Sequence, residues 1–131
     1  MTQTKRDVLL VVSSDERERV IEAVDEVLDE HRHHTRDGEV WDAAYRLACA
    51  GYDAEGIETL LTTVVRYSVE FGIDAGRLAD RVAKVINIYD IDEEHADELL
   101  ERARTLAVQK SMTVDDIFDV LERLGPTLRV A

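Results

Sequence analysis

YDAEGIETLLTTVVRYSVEFGID, residues 52–74, decides the fold. Its inward positions Ile57, Leu60, Leu61, Val64, Val65, Ser68 and Val69 recur at intervals of three and four, which marks one face of a helix over about residues 54–71. Asp53 stands where an N-cap carboxylate accepts first-turn amides, and Gly72 stands where a helix closes in a left-handed C-cap. Tyr52 precedes the cap and Ile57 follows it by four positions, the spacing of a hydrophobic staple.

The same device recurs downstream. Ile73-Asp74 opens a helix whose inward residues are Leu78, Val82, Val85 and Ile86. Ile91-Asp92 opens another, with Ala96, Leu99, Leu100, Ala103, Leu106 and Ala107 facing in. Met112-Thr113 opens the last, with Ile117, Val120, Leu121 and Leu124, stopped by Gly125-Pro126. Thr113 and Asp116 add a reciprocal capping box. The caps at 53, 74, 92 and 113 are spaced 21, 18 and 21 residues apart, which suggests stacked helical hairpins, although side-chain identity between the segments is too slight for a repeat family.

Upstream the pattern is less regular. Ser13 and Glu16 have capping-box spacing and open a helix through about His34, with Val20, Ile21, Val24, Val27, Leu28 and His31 inward. Residues 35–38 read as a loop, and Val40, Trp41, Ala44, Leu47 and Ala48 make a short helix ending at Gly51. The apolar run Val8, Leu9, Leu10, Val11 and Val12 fits two readings. Its β-branched content and the following serines favour a strand, while a helical turn packed on the bundle has the same composition. A strand needs a partner, either residues 128–130 after the Gly-Pro turn or its own twin in a second subunit.

Composition narrows the class. The chain has 131 residues, enough for one domain that buries roughly two thirds of its unfolded surface. Asp and Glu number 29 against 16 Lys and Arg, a formal −13, and the cations are 13 Arg and three Lys. The carboxylates recur from Asp7 to Glu122, and this surface resembles that of proteins from salt-loving archaea, where concentrated salt screens the self-repulsion. A single cysteine, Cys49, excludes an internal disulfide framework and any multi-cysteine metal cluster; beside Ala48 and Ala50 it reads as a small buried hydrophobe. The five-residue apolar run is too short for a bilayer span or a secretory h-region, so the expected location is cytoplasmic.

Few residues suggest chemistry. Glu30 and His33 have the Glu-x-x-His spacing of carboxylate-bridged metal sites in bundles, His34 adjoins them, and Asp92, His95 and Glu98 form a second acid–His–acid series. Against this, Glu30 and His34 fall off the apolar stripe, and the two middle helices carry no inward Glu-x-x-His. Histidines near a helix C-terminus also have a plainer role with the last carbonyls. Cys49 lies at the wrong helix end for an activated nucleophile and has no local histidine. No phosphate-cradling glycine motif is present. Arg77, Arg81 and Lys84 share one helix face that would suit nucleic acid or an acidic partner, but the net charge repels a polyanion.

These observations give an all-α bundle of five or six short helices, with residues 1–12 an arm or strand, 13–51 the N-terminal helices, 52–125 the four-cap array and 126–131 a tail. The function expected first is a non-enzymatic interaction protein, a regulatory or assembly subunit without cofactor, meeting a protein partner or its own copy through residues 8–12. A helical DNA-associated regulator acting through Arg77, Arg81 and Lys84 is the second reading. A metal-dependent helical enzyme, built on the histidine series, is the third.

Overall fold

Helical punctuation of one kind organises the molecule. The computed structural model describes residues 5–130, and among them are seven α-helices, one 3-10 turn and no strand. The helices are α1 (Lys5–Val11), α2 (Arg17–Glu30), α3 (Asp37–Cys49), α4 (Ala54–Phe71), α5 (Ala75–Tyr89), α6 (Ala96–Lys110) and α7 (Val114–Val130); the 3-10 turn Glu93–His95 leads into α6. Four junctions share one construction. Gly51, Gly72, Asp90 and Ser111 each take a positive φ. In each case the next residue (Tyr52, Ile73, Ile91 or Met112) returns its amide to the carbonyl five positions back, at 3.3, 3.1, 3.0 and 2.9 Å. The cap residue follows immediately. Left-handed closure satisfies the last carbonyls of one helix just before the cap starts its successor.

Three of the four expected caps form. Asp53 accepts from the Gly56 amide at 2.9 Å, Asp74 accepts from the Arg77 amide at 3.1 Å, and Thr113 and Asp116 exchange bonds of 3.0 and 3.2 Å. Asp92 makes no side-chain cap, because the chain there begins as a 3-10 turn and becomes α-helical only at Ala96. Ser13 and Glu16 form a backbone turn (3.0 Å) in place of the expected box, and α2 starts later, at Arg17. The Glu16 carboxylate instead accepts from the Ala54 amide at 3.2 Å, and Glu39 does the same for Ala75 at 2.8 Å. Thus α4 and α5 each begin under two acceptors, an aspartate of their own and a glutamate about 37 residues upstream.

Contacts divide the chain into two units, Met1–Asp80 and Arg81–Ala131, the division falling inside α5. In the first, α2 and α3 pack on α4 while α1 lies against α3. Its aliphatic core includes Val8, Val20, Leu47, Ile57, Leu60 and Leu61, all fully buried. In the second, α6 packs on α7 around Leu100, Ala103, Ile117 and Phe118.

Of the two readings of the apolar run, the helical one applies: residues 8–11 lie in α1, the seventh helix, and Val12 follows its end, so neither a strand pairing with residues 128–130 nor a two-chain ribbon forms here. Gly125-Pro126 does not stop α7, whose backbone continues to Val130 in place of a tail or strand. Gly125 is buried, and a Cβ there would collide with Ile88, so glycine at this position serves close approach of α7 to the end of α5. Tyr89 fixes the same crossing through its hydroxyl, which donates to the Leu121 carbonyl at 2.9 Å.

Candidate functional site

Seven residues, KRDVLLV, form α1, and the helical period sorts its apolar run into two faces. Val8 and the following Val12, four apart, are buried in the first unit; Val12 returns its amide to the Val8 carbonyl at 3.1 Å. Leu9 is half-buried, Val11 is 43 % exposed and Leu10 is 71 % exposed. The five candidate contact residues therefore split into two that hold the helix down and three that face outward. The Lys5 ammonium stands 5.8 Å from the centre of the Trp41 ring, a cation–π contact that ties the start of α1 to α3.

Beside the outward face lies an open groove of about 470 Å³, lined by Lys5, Arg6, Leu9, Leu10 and Arg17. Its floor is leucine and its rim is cationic. All three cations are exposed, and among the described residues none of them forms an ion pair. Residues 1–19 carry four cations (Lys5, Arg6, Arg17, Arg19) and four carboxylates (Asp7, Asp15, Glu16, Glu18), so the whole −13 excess belongs to the rest of the chain. Sequence reasoning singled out the apolar run but missed these cations, because Arg17 reaches the groove only after the turn at residues 12–16 folds back.

The basic set it did single out has a different fate. Arg81 keeps only 17 % of its side-chain exposure and points into three carboxylates of α7: Asp119 at 2.8 Å, Asp115 at 3.3 Å and Glu122 at 3.7 Å. Those positions are four and three residues apart, one face of a helix. Burial alone would lower the guanidinium pKa, but the Asp119 hydrogen bond and the Glu122 and Asp115 charges outweigh it, and the net shift is upward. Arg81 is thus paired within the second unit, with carboxylates of α7. Arg77 and Lys84 are exposed.

The histidine series does not assemble. Among the described residues no three His, Cys, Asp or Glu side chains are grouped to hold a metal ion. The physical reason is local: α2 ends at Glu30, so the Glu30–His33 spacing falls across a helix end and into the turn at residues 31–34, where His33 and His34 are exposed. Glu30 lies 3.9 Å from His31 instead. His95 ends the 3-10 turn, where its amide donates to the Asp92 carbonyl at 2.9 Å, and its ring lies 3.6 Å from Glu98.

One buried charge has a full set of partners. Asp42 on α3 is 4 % exposed and accepts from Arg46 Nε at 3.1 Å, while Arg46 Nη1 also binds Asp80. Burial lowers the Arg46 pKa and the two carboxylates more than restore it. A Cβ on Gly76 would collide with Asp42 Oδ2, so α5 approaches α3 closely because position 76 lacks one. Cys49, expected as a buried hydrophobe, is exposed at the end of α3. It hydrogen-bonds Tyr45 and raises the phenol above its ordinary pKa, with the thiol's charge, burial and Asp7 adding.

No helix among the described residues is long and apolar enough to cross a membrane. Compared with family models, with curated proteins and with solved structures, the chain matches none.

Proposed function

We propose that this protein is a non-enzymatic interaction module, a small regulatory or assembly subunit that docks a protein through α1. One observation carries the reading: Leu10 and Val11 stand exposed on a helix whose opposite face, Val8 and Val12, is sealed in the core. A short helix so anchored is a fixed platform, and fixed apolar groups in water are where recognition gains free energy at small ordering cost. Burying the Leu10 side chain would contribute about 1.5–3 kcal/mol. The carboxylate-rich remainder of the surface supports solubility in concentrated salt and discourages contacts elsewhere.

A photo-crosslinking residue at position 10, compared with one at Glu26 on the exposed side of α2, tests this in cells. The expected result is one adduct specific to position 10, either the dimeric chain or one protein identified by mass. That adduct should re-form from purified components and be lost in Val11→Asp. Equal labelling from both positions would sink the reading.

A further inference from the structure

The geometry points to a definite occupant for the α1 groove: an amphipathic helix of a partner protein, with leucine-type anchors on one face and carboxylates flanking them. This rests on the interaction reading above and names its partner's chemistry. Shape comes first. The groove has the volume of a ligand pocket, about 470 Å³, but it is open and would leave much of a small molecule in water, whereas it admits the anchor side chains that a helix offers at i, i+3 or i+4, and i+7. Leu9 and Leu10 supply the apolar floor for those anchors.

Charge then selects among helices. Lys5, Arg6 and Arg17 surround the floor, and the described residues offer them no carboxylate partner. In a chain where anions outnumber cations by 13, this groove is lined by three cations and no carboxylate, within a segment (residues 1–19) whose charges balance while the rest of the chain is strongly negative. An acidic helix gains from both features, because it is drawn to the rim and repelled elsewhere. That is electrostatic complementarity combined with rejection of other registers.

The same facts disfavour the other occupants. A second copy docking groove to groove would set three cations against three cations. Nucleic acid would place phosphates over leucine. An anionic bilayer would attract the rim, at about 1 kcal/mol per cation, while opposing the net −13 of the chain.

The test is fluorescence anisotropy of the full chain with two labelled peptides of about 15 residues, near the shortest length at which an isolated helix holds together. Both carry leucine at i, i+3 and i+7; one is flanked by glutamates and the other by lysines. The glutamate peptide is expected to bind, and to bind more weakly as salt rises from about 0.15 M to 1 M. Its affinity is expected to fall at least ~10-fold in Lys5→Glu/Arg6→Glu/Arg17→Glu and in Leu10→Asp. Circular dichroism checks folding, and Arg6→Glu and Leu10→Asp carry the test singly if the triple variant unfolds. Equal binding of both peptides, lost in Leu10→Asp, overturns the acidic partner and leaves docking intact. Failure of both peptides, alongside a position-10 adduct in cells, does the same. Sedimentation with phosphatidylserine vesicles through the three cations, without peptide binding, overturns it in favour of a lipid surface.

Discussion

At the scale of single residues, two glycines separate backbone freedom from packing. Gly38 in the first turn of α3 has nothing within 4 Å of a built Cβ, whereas at Gly76 that atom would strike the Asp42 carboxylate. Alanine gains about 0.8–1 kcal/mol over glycine in a helix interior, while overpacking costs about 1–3 kcal/mol. Asp42 is held by Arg46 and has little room to yield. Gly38→Ala is therefore expected to stabilise by up to about 1 kcal/mol, and Gly76→Ala to destabilise by about the same amount. Urea melts of the two variants read the sign directly; a gain at position 76 would show that Asp42 swings aside freely. In the sequence, Gly76 is simply a poor helix former near the start of its helix. Its real constraint comes from a buried carboxylate 34 positions upstream, which no local pattern announces.

At the scale of elements, the sequence was most legible where structure depends on neighbours. The caps Asp53, Asp74 and Thr113 were readable because each serves an amide three residues on. The left-handed closures were readable at Gly51 and Gly72 but silent at Asp90 and Ser111, whose side chains do not advertise a positive φ. The centre of each stripe was legible, as at Ile57, Leu78, Leu100 and Ile117, but its edges were not: Tyr67 and Phe118 are buried outside the expected positions. Val69, Leu106, Val120 and Leu124 continue the apolar period yet remain exposed, since periodicity fixes a direction and leaves open how far the packing partner extends. The pairing of Arg81 within the Arg77–Arg81–Lys84 face was illegible for a related reason. The carboxylates that occupy Arg81 belong to α7, 34 to 41 positions away. Ser111 provides an element-scale test. A non-glycine residue in the left-handed region carries about 1–2 kcal/mol of steric cost, and part of the relief is offset by glycine's freer unfolded chain. Ser111→Gly should raise stability by about 0.5–1 kcal/mol. An unchanged thermal midpoint would mean that the serine bears no strain at its φ of 53°.

At the scale of the molecule, the excess of 13 negative charges predicts a fold that gains stability in concentrated salt. Exposed pairs such as Arg19–Glu58 at 3.3 Å are worth about 0–1 kcal/mol each and weaken as salt is added. Carboxylates exceed cations by 13, and their mutual repulsion weakens by the same screening. Raising salt from about 0.1 M to above 1 M shortens the Debye length from roughly 10 Å to 3 Å. The thermal midpoint is expected to climb across that series, and a flat or falling midpoint would remove the case for salt adaptation. That expectation rests on composition alone. The groove beside α1 was legible only in half, because an apolar run is visible in one dimension while cations brought in from both sides of a turn are not.

The glutamates that reach the starts of α4 and α5 also bear on time. Synthesis runs from the N-terminus, so Glu16 and Glu39 exist before the Ala54 and Ala75 amides they accept from. At about 5–20 residues per second, each acceptor precedes its donor by roughly 2–8 s. Starting a helix is its costly step, since several residues must be fixed for the first bond. Here an earlier-made segment, the residue before α2 or the first turn of α3, holds a carboxylate ready for that first turn. Helices α4 and α5 can thus each begin on a segment two elements upstream, and the growing chain carries forward the template for what emerges next.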